Sequence, residues 1–334
     1  MKLKKSKMKK YKLRDLEEAA WLVYKKDLSQ VEVSKLLGFS RPTISRILKE
    51  AKETGIVEIK VNISNKKNFT LKNDLMRRFH LKDAVIAPSI GNEEDIKELI
   101  AQKASDYLVK LLKKDDTIGI SWGTTLLKVV NQIPNRNLGG RLIPLTGGTG
   151  KVANEFHSNN LAQQLAKKLS ARSYALYAPA IVDNENAKKI VEEVSSIRSV
   201  IALFKEVRVA LVGIGALSNK STVIRSEYYS DEDFIKFKKS GAVGDLCSYL
   251  FDCKGNILSS LANKVIGVDI KTLKKIPFVI GIAGGKDKVE AIFGALKGSL
   301  INVLITDENC GEKVLASLNG KQKDISDEYL NTEE

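Results

Sequence analysis

The spacing of apolar positions changes several times along the chain, and each change predicts an element. Leu13, Leu16, Ala20, Val23 and Tyr24, with Trp21 beside them, recur at helical spacing over 13–24. A short helix follows at Gln30–Leu37, carrying Val33, Leu36 and Leu37, with Val31 near its start. Gly38 comes next, and glycine accepts the left-handed backbone of a sharp turn. Ser40 is placed to cap another helix, and Pro42 sits near its start, where a missing N–H leaves no bond unmade. That helix, Arg41–Ala51, puts Ile44, Ile47, Leu48 and Ala51 on one stripe.

From Val57 the period shortens to two. Ile56, Val57, Ile59, Val61 and Ile63, interleaved with Glu58, Lys60 and Asn62, predict a strand, the wing of a winged motif. Ser64–Thr70 is polar and without period, and is expected to be a linker. Helical spacing resumes over Phe69–Phe79 and, over a longer stretch, Glu94–Lys113. Apolar runs predict strands at Ala84–Ala87, Thr117–Ser121, Arg141–Leu145, Tyr174–Tyr177, Val207–Val212, Val265–Asp269, Phe278–Ile282 and Asn302–Thr306. Between them helices are expected at Thr124–Gln132, Asn159–Leu169, Asn186–Phe204, Asp231–Lys239 and Asp287–Leu296. Such alternation predicts an α/β domain with a doubly wound, mostly parallel sheet covered on both faces. The expected organisation is a small N-terminal helix-turn-helix domain over 1–63, a linker over 64–70, and a large ligand-binding and oligomerisation domain over 71–334.

Composition changes this picture in one respect. The net charge is +15, and residues 1–55 hold 15 Lys/Arg against 7 Asp/Glu, so over half the excess lies around the first three helices. That is the footprint of a polyanion-binding end. The lysine-rich start, MKLKKSKMKKYK, either adds phosphate contacts or only solubilises. Three cysteines and two histidines are too few and too scattered for a zinc site or a disulfide framework, so no metal or cofactor is expected. No run approaches the roughly 20 apolar residues of a membrane span. A cytoplasmic protein without a membrane partner is expected.

Two helices joined by a tight turn, the second with a polar face, form the helix-turn-helix pattern that enters the major groove. The residues expected to meet operator DNA are Ser29, Gln30, Ser40, Arg41, Thr43, Ser45, Arg46 and Lys49, donors suited to phosphates and base edges.

In an open α/β sheet, ligands bind beyond the carboxyl ends of the strands. Four turns there carry suitable residues. Ser121-Trp122-Gly123-Thr124-Thr125 leads a strand into a helix, where hydroxyls and first-turn N–H groups make a phosphate cradle. Thr146-Gly147-Gly148-Thr149-Gly150 is a second glycine turn, followed by Lys151. Gly241–Asp245 is expected to be a flexible loop carrying a carboxylate. Gly284-Gly285-Lys286-Asp287-Lys288 opens a helix with lysines in its first turn, where the helix dipole disfavours cations unless an anion is bound. Neither GxxxxGK[ST] nor GxGxxG occurs in these turns.

Taken in order, the helix-turn-helix, GIVEIKV, ISWGTTL, PLTGGTG, ALVGIGAL, GAVGDLCSYLFD and AGGKDKVEAIFGALKGSLINVLITDE resemble the SorC family of sugar-responsive transcriptional regulators, over about residues 10–318. The resemblance implies an effector domain related to sugar-phosphate isomerases and glucosamine-6-phosphate deaminase. It implies that Ser121, Gly123, Thr124 and Thr125 hold a phosphate from one side and Lys288 from the other. Gly147, Gly148, Thr149, Lys151, Asp245 and Asp307 are then expected to meet the sugar. One branch of the family implies an imine at Lys151, and Asp307 and Glu308 have an alternative as dipole-matching acids of the last helix. Half-site geometry leads to an expectation of dimeric reading heads, and the resemblance implies a tetramer, so a homo-oligomer, dimer or tetramer, is expected.

The chain departs from the deaminases after Gly213-Ile214-Gly215. Ala216-Leu217-Ser218-Asn219 follow, without the enzymes' aspartate and histidine. His80 and His157 stand elsewhere. The expected function is therefore a repressor controlled by a phosphorylated sugar in a non-catalytic domain. The alternative is an active sugar-phosphate isomerase or deaminase fused to a DNA-binding module.

Overall fold

The computed structural model describes residues 11–57, 66–148, 155–217 and 231–318. The chain divides into two compact units, Met1–Ile63 and Ser64–Glu334.

The first unit holds α1 (Leu13–Tyr24), α2 (Gln30–Leu37) and α3 (Arg41–Glu53). Leu16, Ala19, Ala20, Val33, Ile44, Ile47, Leu48 and Ala51 interlock as its core. Its α3 runs two residues past the expected Ala51 and closes where Thr54 Oγ1 donates to the Glu50 carbonyl at 2.8 Å. Ile56 and Val57 pack on this core without forming a strand; residues 58–65, which carry most of the expected wing, lie outside the described residues, as does the basic start.

In the second unit, the expected linker is partly helix. Lys66–Phe79 is α4, and in its first turn Lys67 is exposed and pairs with Glu312 at 2.6 Å. The apolar stripe of α4 begins at Leu71 and continues through Leu75 and Phe79. Seven strands follow in one sheet: β1 (Asp83–Ala87), β2 (Thr117–Ile120), β3 (Arg141–Pro144), β4 (Arg172–Ser173), β5 (Val209–Gly213), β9 (Phe278–Ile282) and β10 (Val303–Asp307). Their order is β1-β10-β9-β5-β2-β3-β4, and every pairing is parallel. Alternate residues of β5 show the double covering. Val209 and Leu211 join the cluster formed by α5 (Glu93–Leu111), α6 (Thr124–Gln132) and α7 (Ser158–Leu169). Ala210 and Val212 join the opposite cluster, with α4 and the helix Val289–Lys297.

Several expected boundaries shift. The strand expected at Tyr174–Tyr177 is instead Arg172–Ser173, and Val265–Asp269 makes only isolated bridges from Val265 and Gly267. The long helix expected at Asn186–Phe204 breaks at Val194 into Glu185–Glu193 and Ser195–Ala202.

A second, antiparallel sheet joins β6 (Gly215–Ala216), β7 (Ala242–Leu246) and β8 (Tyr249–Asp252). Gly241–Asp245 is therefore not a flexible loop: its last four residues belong to β7. The β7–β8 hairpin turns on Cys247 (φ 52°) and Ser248 (φ 68°), both left-handed. Two-residue hairpins of this hand usually announce themselves by Asn-Gly or Asp-Gly; Cys-Ser does not, which hid the hairpin.

The chain leaves β2 toward β3 but leaves β5 toward β9, on the other side. The loops after β2 and β5 therefore diverge, and this topological switch point opens a crevice at the carboxyl ends of the strands.

Candidate functional site

A pocket of about 190 Å³ occupies that crevice. Residues 121–125 after β2, 213–216 after β5 and 284–288 after β9 form its walls, joined by Asp245 and Cys247 of the hairpin and by Glu93 and Lys97 of α5.

The wall after β2 is tied to its neighbour. Ser121 N donates to the Leu211 carbonyl at 2.9 Å, and Ser121 Oγ accepts the Gly213 N–H at 3.3 Å. Gly123 precedes α6 at φ 137°, a conformation that favours glycine, and its N–H donates to the Phe156 carbonyl at 3.0 Å. No side chain caps α6, so the start of the helix, Thr124 and Thr125, opens on the pocket with first-turn N–H groups that have no intrahelical acceptor. Such a start favours an anion.

The wall after β9 brings Lys288 from the other side. Gly285 turns the chain at φ 94° with open space where a side chain would stand. Its N–H donates to Asp307 Oδ2 at 2.6 Å. Asp307 Oδ1 accepts from Ser89 Oγ at 2.7 Å and from Cys310 N at 3.1 Å. Asp307, expected to meet a sugar, is 1 % exposed and does not line the pocket; it caps the last helix and fastens the lysine loop. Glu308 follows in the first turn of that helix and lies 3.7 Å from Lys67.

Asp245 stands on β7 opposite Gly215. A Cβ at Gly215 would come within 1.7 Å of Asp245 Oδ1, so any side chain there would have to displace the buried carboxylate or the strand. Burial pushes the Asp245 carboxyl up to about 6, against the opposing pull of Lys288 and the Ser248 N–H. Burial also draws the Lys288 ammonium below its ordinary range, with Asp245 opposing. Cys247, beside them, has its thiol pushed up by burial and by Asp245.

The structure thus gathers Ser121, Gly123, Thr124, Thr125, Asp245 and Lys288 in one pocket. It does not bring Gly147 and Gly148 there. Gly147 packs against the backbone of Ala178 and Pro179, and Gly148 exchanges bonds with Ala178 and Ala180. Thr149 and Lys151 lie outside the described residues. His80 ends α4 on the surface. His157 precedes α7, and burial holds its imidazole below the usual range. Neither histidine lines the pocket. Sequence reasoning missed Glu93 and Lys97. The signal was present: Asn92 and Asp95 form a capping box that starts α5 on the rim above β1, so the first turns of α5 face the crevice.

In the first unit, Ser29 forms a capping box with Glu32: its Oγ accepts Glu32 N at 3.3 Å and donates to Glu32 Oε2 at 2.8 Å. Gly38 is left-handed at φ 71°, and Ser40 Oγ accepts Thr43 N at 3.3 Å and shares a 2.8 Å bond with Thr43 Oγ1. Ser29, Ser40 and Thr43 are therefore engaged in holding the helix starts, and Gln30, the first residue of α2, is half-buried. Arg41, Ser45, Arg46 and Lys49 stand exposed, and the three cations make no carboxylate pair among the described residues.

Among the described residues, no group of three His, Cys, Asp or Glu side chains is placed to hold a metal ion, and no helix is long and apolar enough to cross a membrane.

Comparison with known proteins agrees with this architecture. Residues 64–316 match the family model described as "Putative sugar-binding domain". The sorbitol operon regulator of Klebsiella pneumoniae is 32 % identical over 308 residues, covering 91 % of this chain and 98 % of that protein. The deoxyribonucleoside regulator of Bacillus subtilis (strain 168) is 33 % identical over 304 residues, covering 90 % and 97 %. The crystal structure of the full-length sorbitol operon regulator SorC from Klebsiella pneumoniae superposes with a TM-score of 0.75 over 91 % of this chain and 99 % of that one, at 31 % identity. With a sugar-binding domain over residues 64–316 and full-length relatives that regulate transcription, the chain belongs to the SorC family of transcriptional regulators.

Proposed function

We propose that this regulator is a cytoplasmic, homo-oligomeric repressor whose hold on operator DNA is set by a phosphorylated sugar in the pocket at the β2/β5 switch point. The observation that carries the reading is the convergence of an uncapped helix start at Thr124–Thr125 with Lys288, more than 160 residues later in the chain, on either side of one crevice. N–H groups, threonine hydroxyls and an ammonium are the donor set of a phosphate site. Asp245, buried and facing Lys288, supplies an acceptor for sugar hydroxyls. The output element is α3, with Arg41, Ser45, Arg46 and Lys49 turned to the DNA, Ser40 and Thr43 fixing its start, and Ser29 fixing that of α2.

Binding acts as a shift between two states that hold the ligand with different affinity. A ligand that draws the 121–125 and 284–288 walls together alters subunit packing and so the spacing of paired recognition helices. A coupling of about 1–3 kcal/mol changes operator affinity roughly 5- to 150-fold.

One observation favours a second reading, catalysis: a carboxyl titrating at about 6 sits in the pocket. Proton shuffling between sugar carbons needs such a group, aimed at a carbon. We read Asp245 instead as a hydroxyl acceptor, because Lys288 stands against it and no histidine lines the pocket. A thermal-shift panel of phosphorylated and free sugars, followed by product assay of each stabilising compound, tests both. Stabilisation by a phosphorylated member without turnover is expected; multiple turnovers would support the enzyme.

A further inference from the structure

Lys97 is not needed to explain the cradle, yet it lines the same pocket as Lys288. It lies close enough to depress the Lys288 ammonium's pKa. Two ammonium groups facing one volume repel unless an anion lies between them. Lys286 adds a further ammonium to the lining, but Glu93, Asp245 and Asp287 bring three carboxylates, so Lys286 and Lys288 alone do not make the pocket strongly attractive to a dianion.

Lys97 is held at present by a neighbour. Its Nζ lies 2.8 Å from Glu94 Oε1, while Glu94 Oε2 takes Lys128 of α6 at 3.2 Å. Lys128 in turn reaches Glu98 at 3.1 Å, and Gln132 at the end of α6 donates to the same Glu98 carboxylate. This ladder ties α5 to the helix whose first turn forms the anion cradle. The pairs are part-exposed, Lys97 at 32 % and Glu94 at 65 %, and a pair of that exposure is weak enough to exchange.

We propose that Lys97 is a further, exchangeable cation of the effector site, which leaves Glu94 for a dianionic phosphate lying between it and Lys288 and so makes the pocket select doubly charged ligands. The proposal rests on the phosphate reading of the pocket. Transfer of Lys97 leaves Glu94 to Lys128 alone and loosens one rung of the ladder between α5 and α6, which links ligand charge to the packing of the cradle helix.

The test is calorimetric titration of the full-length chain with inorganic phosphate up to millimolar concentration, at a pH of about 8, where phosphate is dianionic. Lys97→Met is expected to weaken binding about tenfold or more, as loss of a charge-assisted contact does, and Lys97→Arg to restore most of it. Glu94→Gln frees Lys97 and is expected to tighten binding, by up to about fivefold. Wild-type affinity in Lys97→Met, with binding lost in Lys288→Met, overturns this inference and leaves the phosphate reading standing. Equal weakening in Lys97→Met and Glu94→Gln also overturns it, since only a structural role of the pair predicts that. No phosphate binding by the wild-type chain overturns both.

Discussion

The carboxylate of Asp307 accepts the backbone N–H of Gly285 at 2.6 Å, and so fixes the loop that carries Lys288 to the end of β10. Its other oxygen takes Ser89 Oγ and Cys310 N, which brings the start of the last helix and the chain before α5 to the same point. One buried acid thereby ties the lysine wall of the pocket to the chain before α5 and to the last helix.

Asp307→Ala leaves those three donors without their acceptor and removes a helix cap. A buried donor left unsatisfied costs about 1–3 kcal/mol and a lost cap about 1 kcal/mol. The expected outcome is a second unit destabilised by about 3 kcal/mol or more in urea denaturation, with weaker ligand binding, while the melting of the first unit stays unchanged. Asp307→Ala at wild-type stability would show that the three bonds do not matter.

Asp245 makes a pH signature. Its folded-state pKa, about 6, is raised above the ordinary 3.8 by burial. The folded state therefore holds the proton more tightly, so this group's contribution to stability is complete below about pH 4 and is lost as pH rises through about 6. Asp245→Asn removes the titration. The stability of Asp245→Asn relative to wild type is expected to rise between those two pH values, by on the order of a few kcal/mol. A difference independent of pH would contradict the buried-carboxyl account.

Gly215→Ala places a Cβ against Asp245 Oδ1. Either the carboxylate or β6 must move, and the pocket is deformed at the acceptor expected to meet sugar hydroxyls. Loss of the ligand's thermal shift with operator binding retained is the expected result, read by thermal shift and by gel retardation. A full ligand response would remove Asp245 from the site.

Arg46 is exposed on α3 and makes no carboxylate pair among the described residues. Arg46→Ala is expected to weaken operator binding about ten- to a hundredfold and leave ligand stabilisation intact. Ser40→Ala should act differently: it removes the α3 cap and lowers the stability of the first unit by about 1 kcal/mol. Parallel fluorescence anisotropy and denaturation separate the two effects.

Much of the fold was legible because local signals were strong. Gly38, Ser40 and the stripe Ile44, Ile47, Leu48 and Ala51 place α3 from the sequence, and Thr124–Gln132 and Phe278–Ile282 occur as expected. The β7–β8 hairpin was not legible, since its turn uses Cys247 and Ser248 in place of the usual turn residues. The pocket was half legible. Ser121–Thr125 and Lys288 stand at chain positions with the right chemistry, but which glycine turn shares their crevice depends on strand order. The Gly147–Gly148 turn follows β3, one strand beyond the switch point, and packs against Ala178 and Pro179. Asp307 has the chemistry of a sugar contact, and its three hydrogen bonds to the scaffold could not be read from its position in the chain.

The central claim is that charge recognition at Lys288 is read out at α3. Operator affinity of the full-length chain, measured by fluorescence anisotropy with and without the most stabilising phosphorylated sugar, tests it most directly. The wild-type affinity should change at least about fivefold on adding the sugar, whereas Lys288→Met should bind operator as the free wild type does and show no change. An unaltered sugar response in Lys288→Met would contradict the account.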